Sequence, residues 1–352
     1  MTETLQDIDI TEKYGDSSRV SYAVYIHDSE RFFSFATEVN GNDVEIRQTL
    51  RDETLGFDLI TSALTADQEQ KLRLFLVRRL RKGAIYAETG NFSGMDFSLS
   101  DSTPAVCYYI LLPCRNSEKR QLMICLLAST DANLEVFRPE LTQFCEMLAA
   151  NIPCDQQQPL PVSVSARLAT WYSICLQYIR RILQAFENNV SSLLQLAQQR
   201  GHIVGGPGVD QSIVDDAERF LEACTVAECL PASQEVATLH KTDKQTYYVE
   251  GVESNAYCNE WARLLLDVGH SAEPWRLRRV LEAFKLKTIK DMNMLKRLLK
   301  QSEMDHYSLY RAHTFLWQSG NSDILLRQAK LEGGSSPDII AALEEHLLYC
   351  AT

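Results

Sequence analysis

A helical segment with almost no turn residues dominates the C-terminal third of the sequence. From Val280 onward the chain contains neither glycine nor proline until Gly320. These two residue types interrupt helices most strongly, and apolar residues recur through the segment at helical spacing. Residues 272–320 are therefore predicted to form one very long helix or two. A long amphipathic helix of this kind has the physical character of a docking surface.

The first half of the chain contains short apolar and aromatic runs between turn residues, a pattern typical of β-strands. The predicted strands are 22–26, 31–35, 43–47, 84–88, 95–99, 106–112 and 122–127. One helix is predicted over 66–80, where Thr65 and Gln68 form a capping-box pattern, and a second is predicted over 131–150. This order of elements is similar to that of longin and roadblock-type domains, in which a sheet carries helices on its faces.

A polar, proline-flanked stretch marks the boundary between the two halves. The predicted organisation is a flexible tail (1–18), an α/β longin-like docking domain (19–153), a linker (154–162) and a helical domain (163–352). The predicted fold class is α+β. It combines an N-terminal mixed or antiparallel sheet with flanking helices and an all-α C-terminal domain.

One apolar stripe runs through the start of the helical domain at steps of three and four residues. Its members are Leu168, Trp171, Cys175, Tyr178, Ile182, Phe186, Val190, Leu193 and Ala197. Gly201 ends this helix, and the glycine-rich segment 205–208 is interpreted as a flexible connection between helices. An extended pair of strands around 241–244 is left open. The last helix is predicted to start at Pro337, with Ser336 as its cap.

Composition and charge exclude several classes of protein. The 352 residues carry a formal net charge of −12, which disfavours general binding to nucleic-acid phosphates. The N-terminal segment is polar and acidic, unlike a signal peptide, and no apolar run approaches the ~18–20 residues that cross a bilayer. Ten cysteines at irregular spacings do not form a disulfide framework. The expectation is a cytosolic protein that contacts membranes only peripherally.

No catalytic or metal-binding constellation stands out in the sequence. The 205–208 cluster lacks the Gly-Lys-Ser/Thr ending of a phosphate loop and is expected to follow a helix, where such a loop follows a strand. His306 and His313 lie two helical turns apart, about 10 Å, which is too far to share one metal ion. Cys107 and Cys125 are expected to be buried structural residues. The prediction is a protein without catalytic residues, metal, cofactor or small-molecule substrate.

Basic residues are concentrated in one part of this acidic chain. They are Arg276, Arg278, Arg279, Lys285, Lys287, Lys290, Lys296, Arg297 and Lys300. One interpretation is an ordinary solvated helix face, and the other is a contact surface for an acidic partner protein or an anionic membrane. On the second interpretation, reversing Arg278, Lys285 and Lys296 to Glu is expected to weaken recruitment and to leave the fold intact. Nucleic acid ranks third, because the aromatic residues do not interleave with the basic ones.

The same segment resembles the Njmu-R protein family. The resemblance is carried by the run 280–326, by the upstream motif Tyr257-Cys258-Asn-Glu260-Trp261 and by the closing segment 340–345. It is patchier in the N-terminal half, where the matching stretches are 79–84, 90–91, 107–109 and 135–138.

This resemblance implies a non-enzymatic subunit of a three-protein cytosolic assembly that contains a large WD-repeat propeller protein. That assembly acts at the trans-Golgi network, where it helps golgin tethers to capture vesicles returning from endosomes. The expected role is therefore an adaptor or scaffold, peripheral at the trans-Golgi network and vesicles. Two alternatives stay open. One is a small-GTPase regulator or effector, suggested by the strand–helix order of 20–150, and the other is an enzyme with a dispersed site.

Overall fold

The structure is a computed structural model, and it describes residues 20–28, 57–81, 93–100, 103–114, 117–129, 134–150, 152, 162–226, 236–242, 246–269, 275–332 and 337–351. These residues form two compact units, of which one ends at Cys175 and the other begins at Leu176. The division lies inside one long helix. The predicted tail (1–18) and the predicted linker, apart from Val162, lie outside the described residues.

A five-stranded antiparallel sheet forms the N-terminal unit. Its strands are β1 (Ser21–Asp28), β2 (Phe57–Ser62), β3 (Ser93–Ser100), β4 (Thr103–Cys114) and β5 (Ser117–Ser129). Their order in the sheet is β2-β1-β5-β4-β3, so the first strand lies beside the last. Helix α1 (Ala66–Arg81) lies between β2 and β3 in the chain, and α2 (Arg138–Ala149) follows β5. The predicted α+β class is confirmed, and the described elements of this half follow the predicted succession of strands, helix, strands and helix.

Both faces of this sheet are buried, which explains why β5 reads as a continuous apolar run. On one face, Tyr25 of β1 packs in an apolar cluster with Leu72 and Leu76 of α1. On the other face, the hydroxyl of Tyr108 on β4 accepts a hydrogen bond from the backbone N–H of Leu134 at 3.1 Å. The alternation of a strand thus sends neighbouring side chains to two separate layers of helix.

Some elements differ from the sequence prediction. Strand β2 was not predicted, because its sequence alternates only weakly, and its pairing with β1 defines it. Helix α2 begins at Arg138, after a short 3₁₀ turn at Glu135–Phe137, and so starts later than residue 131. The predicted strands 31–35, 43–47 and 84–88 lie outside the described residues.

The apolar stripe of the helical half is carried by two helices, α3 (Val162–Phe186) and α4 (Val190–Gln199). Every member of the stripe is buried, as predicted. The helix is not continuous, because Glu187 adopts a left-handed φ of 46° and a 3₁₀ turn, Glu187–Asn189, separates the two parts. The periodicity of the sequence therefore predicted the buried face correctly but gave no signal for the break.

A three-stranded sheet interrupts the helical C-terminal unit. Strand β6 (His202–Gly205) pairs in parallel with β7 (Val236–Lys241), and β7 pairs antiparallel with β8 (Tyr247–Val249). Helix α5 (Gln211–Cys224) lies between β6 and β7 in the chain, as a parallel pair requires. The extended pair left open around 241–244 is therefore present. The C-terminal half is predominantly helical, and this sheet corrects the expectation that it is entirely so.

The remaining helices are α6 (Ala256–Gly269), α7 (Trp275–Ser302), α8 (His306–Ser319), α9 (Ser322–Glu332) and α10 (Pro337–Ala351). The segment 272–320 therefore forms two helices. Side chains of α7, α8, α9 and α10 share one apolar cluster, which includes Leu295, Leu316 and Leu325. Within the residues that the structure describes, no helix combines the length and the apolar character needed to span a membrane.

Candidate protein-docking surface

The basic residues of α7 do not lie on one face of the helix. Arg278 is only 1% exposed, and its Nη1 lies 3.3 Å from Oε2 of Glu282, one turn further along. Arg276, Arg279 and Lys285 are partly buried and interact with neighbouring groups. These four basic side chains therefore pack against neighbouring groups. They were expected to lie on the solvent-exposed face of the helix.

Two further basic residues of α7 are paired with carboxylates. The Nζ atom of Lys287 lies 2.6 Å from Oδ1 of Asp291, and Lys296 reaches Glu332 of α9 at 2.8 Å. Burial raises the pKa of Asp291, while the hydrogen bond from Lys287 acts in the opposite direction. The pair between Lys296 and Glu332 is partly solvated, and pairs of this kind contribute only about 0–1 kcal/mol.

The solvent face of α7 carries the other three basic residues. Lys290, Arg297 and Lys300 are exposed, and they follow the helical repeat together with exposed Leu286 and Asn293. These three side chains occupy the outer position that the sequence analysis expected. Their contact with an acidic partner or a membrane stays a prediction.

An aromatic ridge lies on α8, the helix that follows. It consists of Tyr307, Tyr310 and Trp317 on the helix and of Met304 in the turn before it. Their exposed fractions are 66%, 65%, 55% and 89%, in that order. The rings of Tyr307 and Tyr310 stack with their centroids 6.5 Å apart. Steps of three and seven residues place the three aromatic side chains along one side of the helix.

The opposite side of α8 determines where the ridge points. Ser308, Ala312 and Leu316 are buried, and the last two belong to the apolar cluster shared with α7, α9 and α10. These buried positions recur every four residues, so the positions of the ridge face away from the cluster. The start of the helix is also fixed, because the carboxylate of Asp305 accepts hydrogen bonds from the N–H groups of Tyr307 and Ser308.

The three aromatic side chains of the ridge together expose a large apolar area. A Tyr or Trp side chain buries roughly 150–250 Å² when covered, so these three rings leave on the order of 300–450 Å² available. A patch of this size is often functional on a soluble protein. Tyr, Trp and Met are also enriched in the buried centres of protein interfaces. The ridge is therefore a candidate docking surface.

Charged groups of both signs surround the ridge, because exposed Glu303 and Asp305 flank Met304. Helix α8 contains no Asp or Glu, and Arg311 is exposed directly after Tyr310. The nearest carboxylate before the helix is that of Asp305. Hydrogen bonds from Tyr307 and Ser308 lower the pKa of this carboxyl group, so Asp305 stays ionised as the helix cap. Its negative charge is thereby directed at the helix terminus.

The motif upstream of α7 that carries the family resemblance is a core element. Tyr257 and Trp261 of α6 are buried against Phe284 of α7, with ring centroids at 5.7 Å from the latter in both cases. The Tyr257 hydroxyl lies 3.1 Å from Oγ1 of Thr288, and the Cys258 thiol donates to Gln195 at 3.3 Å. A buried polar network of this kind fixes how the helices pack. The motif therefore specifies the fold of this unit.

The glycine-rich segment 205–208 is placed differently from the prediction. It connects strand β6 to helix α5, which is the position of a phosphate-binding loop. However, the carboxylate of Asp210 caps the helix and accepts a hydrogen bond from the N–H of Ser212, where an anion would otherwise bind. Gly206 has a structural role, because a Cβ atom there would lie 2.7 Å from the carbonyl oxygen of Leu239.

The histidines and cysteines of the sequence analysis lie in separate places. The rings of His313 and His346 are 5.8 Å apart between α8 and α10, whereas His306 is exposed at the start of α8. Cys107 and Cys125 are buried as predicted, and burial raises the pKa of the Cys125 thiol. Among the described residues, no group of three or more His, Cys, Asp or Glu side chains is arranged to hold a metal ion.

Sequence periodicity does not distinguish the ridge from the buried apolar face of its helix. The segment contains two interleaved apolar sets, one at 309, 312 and 316 and one at 307, 310 and 317. Periodicity assigns both sets to a wide apolar stripe, and only packing shows which of them is covered. The available signal is that the uncovered set consists of Tyr and Trp, which are amphipathic and suit an interface.

The fold defines an α+β protein whose helical unit exposes an aromatic ridge, a candidate docking surface. The sequence matches the model of the Njmu-R1-like protein family over residues 22–348, and the chain therefore belongs to that family. It is 28% identical over 331 residues to "Protein Njmu-R1" of Mus musculus, an alignment that covers 85% of this chain and 82% of the mouse protein.

Proposed function

We propose that this protein is a non-enzymatic adaptor or scaffold subunit of a cytosolic complex that tethers endosome-derived vesicles at the trans-Golgi network. Its direct partners in this proposal are a large WD-repeat propeller protein and a second subunit. Golgin tethers and the vesicle membrane are contacted indirectly. Membership of the Njmu-R1-like family supports the proposal, because the resemblance to that family is what implies this role.

The observation that carries the proposal is the aromatic ridge on α8. An adaptor needs a preformed surface on a rigid element, and the ridge lies on a helix whose other side is buried. Large aromatic side chains supply most of the binding energy at many protein interfaces. The ridge also lies within the segment 280–326, which carries the resemblance to the family.

The test is to replace Tyr307, Tyr310 and Trp317 together by Ala in the full-length chain. We expect at least a tenfold reduction in the WD-repeat protein that co-purifies from cytosol. The free energy of unfolding should change by less than about 0.5 kcal/mol per site, because the three side chains are largely exposed.

A matched control replaces three other exposed apolar residues by Ala: Ile174, Tyr248 and Leu331. This variant should recover the WD-repeat protein at the wild-type level. The proposal fails if wild-type protein recovers no WD-repeat partner. It also fails if the ridge variant and the control retain the partner equally well.

A second candidate is a regulator or effector of a small GTPase. It is favoured by the N-terminal unit, in which an antiparallel sheet is covered by helices in the strand–helix order typical of trafficking domains. This candidate requires binding that depends on the bound nucleotide. Equal binding to the GDP and GTP states of a GTPase panel, or no binding at all, would remove it.

A further inference from the structure

Charges of opposite sign lie at two places along the start of α8. Exposed Glu303 and Asp305 lie at its N-terminal end, and exposed Arg311 follows further along the helix. Six residues of helix separate Asp305 from Arg311, which corresponds to about 9 Å along the axis. No acidic residue lies within four positions of Arg311 in the chain, so Arg311 has no carboxylate one turn away on its own helix.

An interface between two copies related by two-fold symmetry has to be complementary to itself. A surface with one sign of charge repels its own copy, whereas a surface with separated charges of both signs attracts a copy in antiparallel orientation. The start of α8 is a surface of the second kind. Three exposed apolar side chains lie between its charges, namely Met304, Tyr307 and Tyr310.

One antiparallel register satisfies the charges and the apolar side chains together. Across a two-fold axis, the residue numbers of facing positions have a constant sum. Arg311 opposite Glu303 of the other copy therefore also brings Tyr310 opposite Met304 and Tyr307 opposite its own equivalent. Contacts between a thioether and a ring and between two rings are both favourable. Symmetry repeats the ion pair and the contact between Tyr310 and Met304.

We infer that two copies of this chain associate through residues 303–311 in antiparallel orientation, with Arg311 of each copy paired with Glu303 of the other. This inference goes beyond the proposed function and does not depend on it. The side chains of this segment offer on the order of 400–600 Å² per copy, the size of a weak and reversible interface. The expected Kd is therefore about 10–100 µM.

Two other occupants fit this segment less well. An anionic membrane and a partner surface of uniform negative charge are both attracted by Arg311 but repelled by Glu303 and Asp305. A second copy presents a carboxylate to Arg311 and a guanidinium group to Glu303. It is therefore the occupant that satisfies charges of both signs.

The first experiment is sedimentation equilibrium of the purified full-length chain, at concentrations from well below to well above the expected Kd. The measurements are made at 0.15 M salt, where a Debye length of about 8 Å limits repulsion between the acidic copies. We expect a monomer–dimer equilibrium. Arg311→Glu and Glu303→Arg should each weaken the dimer roughly tenfold, because each variant replaces two symmetry-related attractions by repulsions.

An equimolar mixture of these two variants separates a direct ion pair from a change in folding. One copy then has basic residues at 303 and 311, and the other has acidic residues there. The mixed pair is therefore attractive and both homodimers are repulsive, so the mixture should associate about as tightly as the wild type. The matched control makes the same two changes at exposed positions on α6, as Glu260→Arg and Arg263→Glu, and should keep the wild-type constant singly and mixed.

The second experiment tests the register. The purified chain carries a photo-reactive benzophenone side chain at position 304, and labelled and unlabelled copies are mixed so that cross-links between copies are identified by mass. We expect position 304 to cross-link to residues 307–311 of a second copy. The same side chain at position 248, on β8, is the control and should give no such product.

Four outcomes would overturn the inference. They are a wild-type chain that stays monomeric throughout the range, unchanged association of both single variants, a mixture that associates no better than its components, and cross-links from position 304 to another part of the second copy. The proposed function fails separately. If the dimer forms but the wild-type chain recovers no WD-repeat protein from cytosol, the inference stands and the vesicle-tethering role does not.

Discussion

Arg278 illustrates how burial changes the consequence of reversing a charge. Its side chain is 1% exposed and interacts with Glu282, so a Glu at this position would bury a carboxylate next to another one. We expect Arg278→Glu to lower the free energy of unfolding by about 3–5 kcal/mol, measured by urea denaturation. The sequence alone suggested that a reversal including Arg278 leaves the fold intact. The burial of Arg278 instead predicts a loss of stability.

The matched control is Arg297→Glu on the exposed face of the same helix. It makes the same change of charge, and the expected loss of stability is within about 0.5 kcal/mol. Equal destabilisation by the two variants would show that burial does not distinguish these positions.

Asp305 gives a pH-dependent contribution to stability with a defined sign. The hydrogen bond from the Tyr307 N–H, assisted by Ser308, lowers the pKa of Asp305 in the folded state. Its stabilising effect is therefore complete above the unfolded-state pKa of about 3.9 and is lost as the pH falls through the lower folded-state pKa.

Substitution of Asp305 by Asn separates the charge from the cap. Asn caps helices about as well as Asp, so the Tm at neutral pH should stay close to that of the wild type. Below about pH 4 the wild type should lose more of its Tm than Asp305→Asn does. Thermal melts of both proteins across this range provide the measurement, and parallel pH profiles would contradict the assignment.

At the scale of elements, the β6–β7 pair depends on Gly206. Its N–H donates to the carbonyl of Leu239 at 2.9 Å, and a Cβ atom would lie 2.7 Å from that same oxygen. Gly208 has a left-handed φ of 77°, but open space surrounds its Cβ position. The two glycines are therefore required for different reasons, one by a close approach and the other by its dihedral angle.

We expect Gly208→Ala to cost about 1–2 kcal/mol, the usual strain of a left-handed residue with a side chain. Gly206→Ala should cost more, because two backbone segments must move apart. Urea denaturation gives both values, and amide exchange at β6 and β7 shows where the structure opens. The opposite order of the two losses would refute the role assigned to Gly206.

Helices α7 and α8 show why one continuous amphipathic pattern forms two helices. The sequence 275–319 contains no Gly or Pro, yet the helix breaks before Asp305, where a carboxylate can cap a new helix. After the break, the buried face is set by packing against α9 and α10. A local side-chain cap thus determined where α8 begins, and packing determined the direction of the ridge.

At the scale of the whole molecule, the acidic net charge makes the exposed basic residues of α7 conspicuous. If they guide an acidic partner, Arg297→Glu with Lys300→Glu should slow association several-fold. The effect should shrink at high salt, because the Debye length falls to about 3 Å at 1 M. Association rates with the purified WD-repeat complex at low and high salt provide the measurement.

The control for this experiment is the double variant Arg167→Glu and Arg263→Glu, which changes the net charge by the same amount at exposed positions on α3 and α6. It should have a much smaller effect on the association rate. Equal effects of the two double variants would show that the basic face of α7 is an ordinary solvated surface.

Much of the fold could be predicted from sequence, since strand alternation and helical periodicity are local. The strands 95–99, 106–112 and 122–127, the helix 66–80 and every member of the stripe from Leu168 to Ala197 are confirmed. Strand β2 and the small sheet were missed or left open, because short strands are defined by partners distant in the chain.

The candidate site was predicted less well. The sequence singled out the segment that forms α7 and α8 and favoured the basic residues of α7, of which Arg278 is buried and Lys287 and Lys296 are paired. The aromatic ridge on the neighbouring helix was not recognised. Charge can be read directly from a sequence, whereas exposure of an apolar residue depends on what packs against it.

The sequence by itself determined the two kinds of architecture, the buried faces of the helices and the family, because these depend on the order and period of residues along the chain. The tertiary structure decided which of two apolar sets on α8 is covered and which basic residues of α7 reach solvent. The physical reason is that burial is a property of neighbours in space. When a helix has two apolar sides, only its tertiary packing determines which side remains exposed.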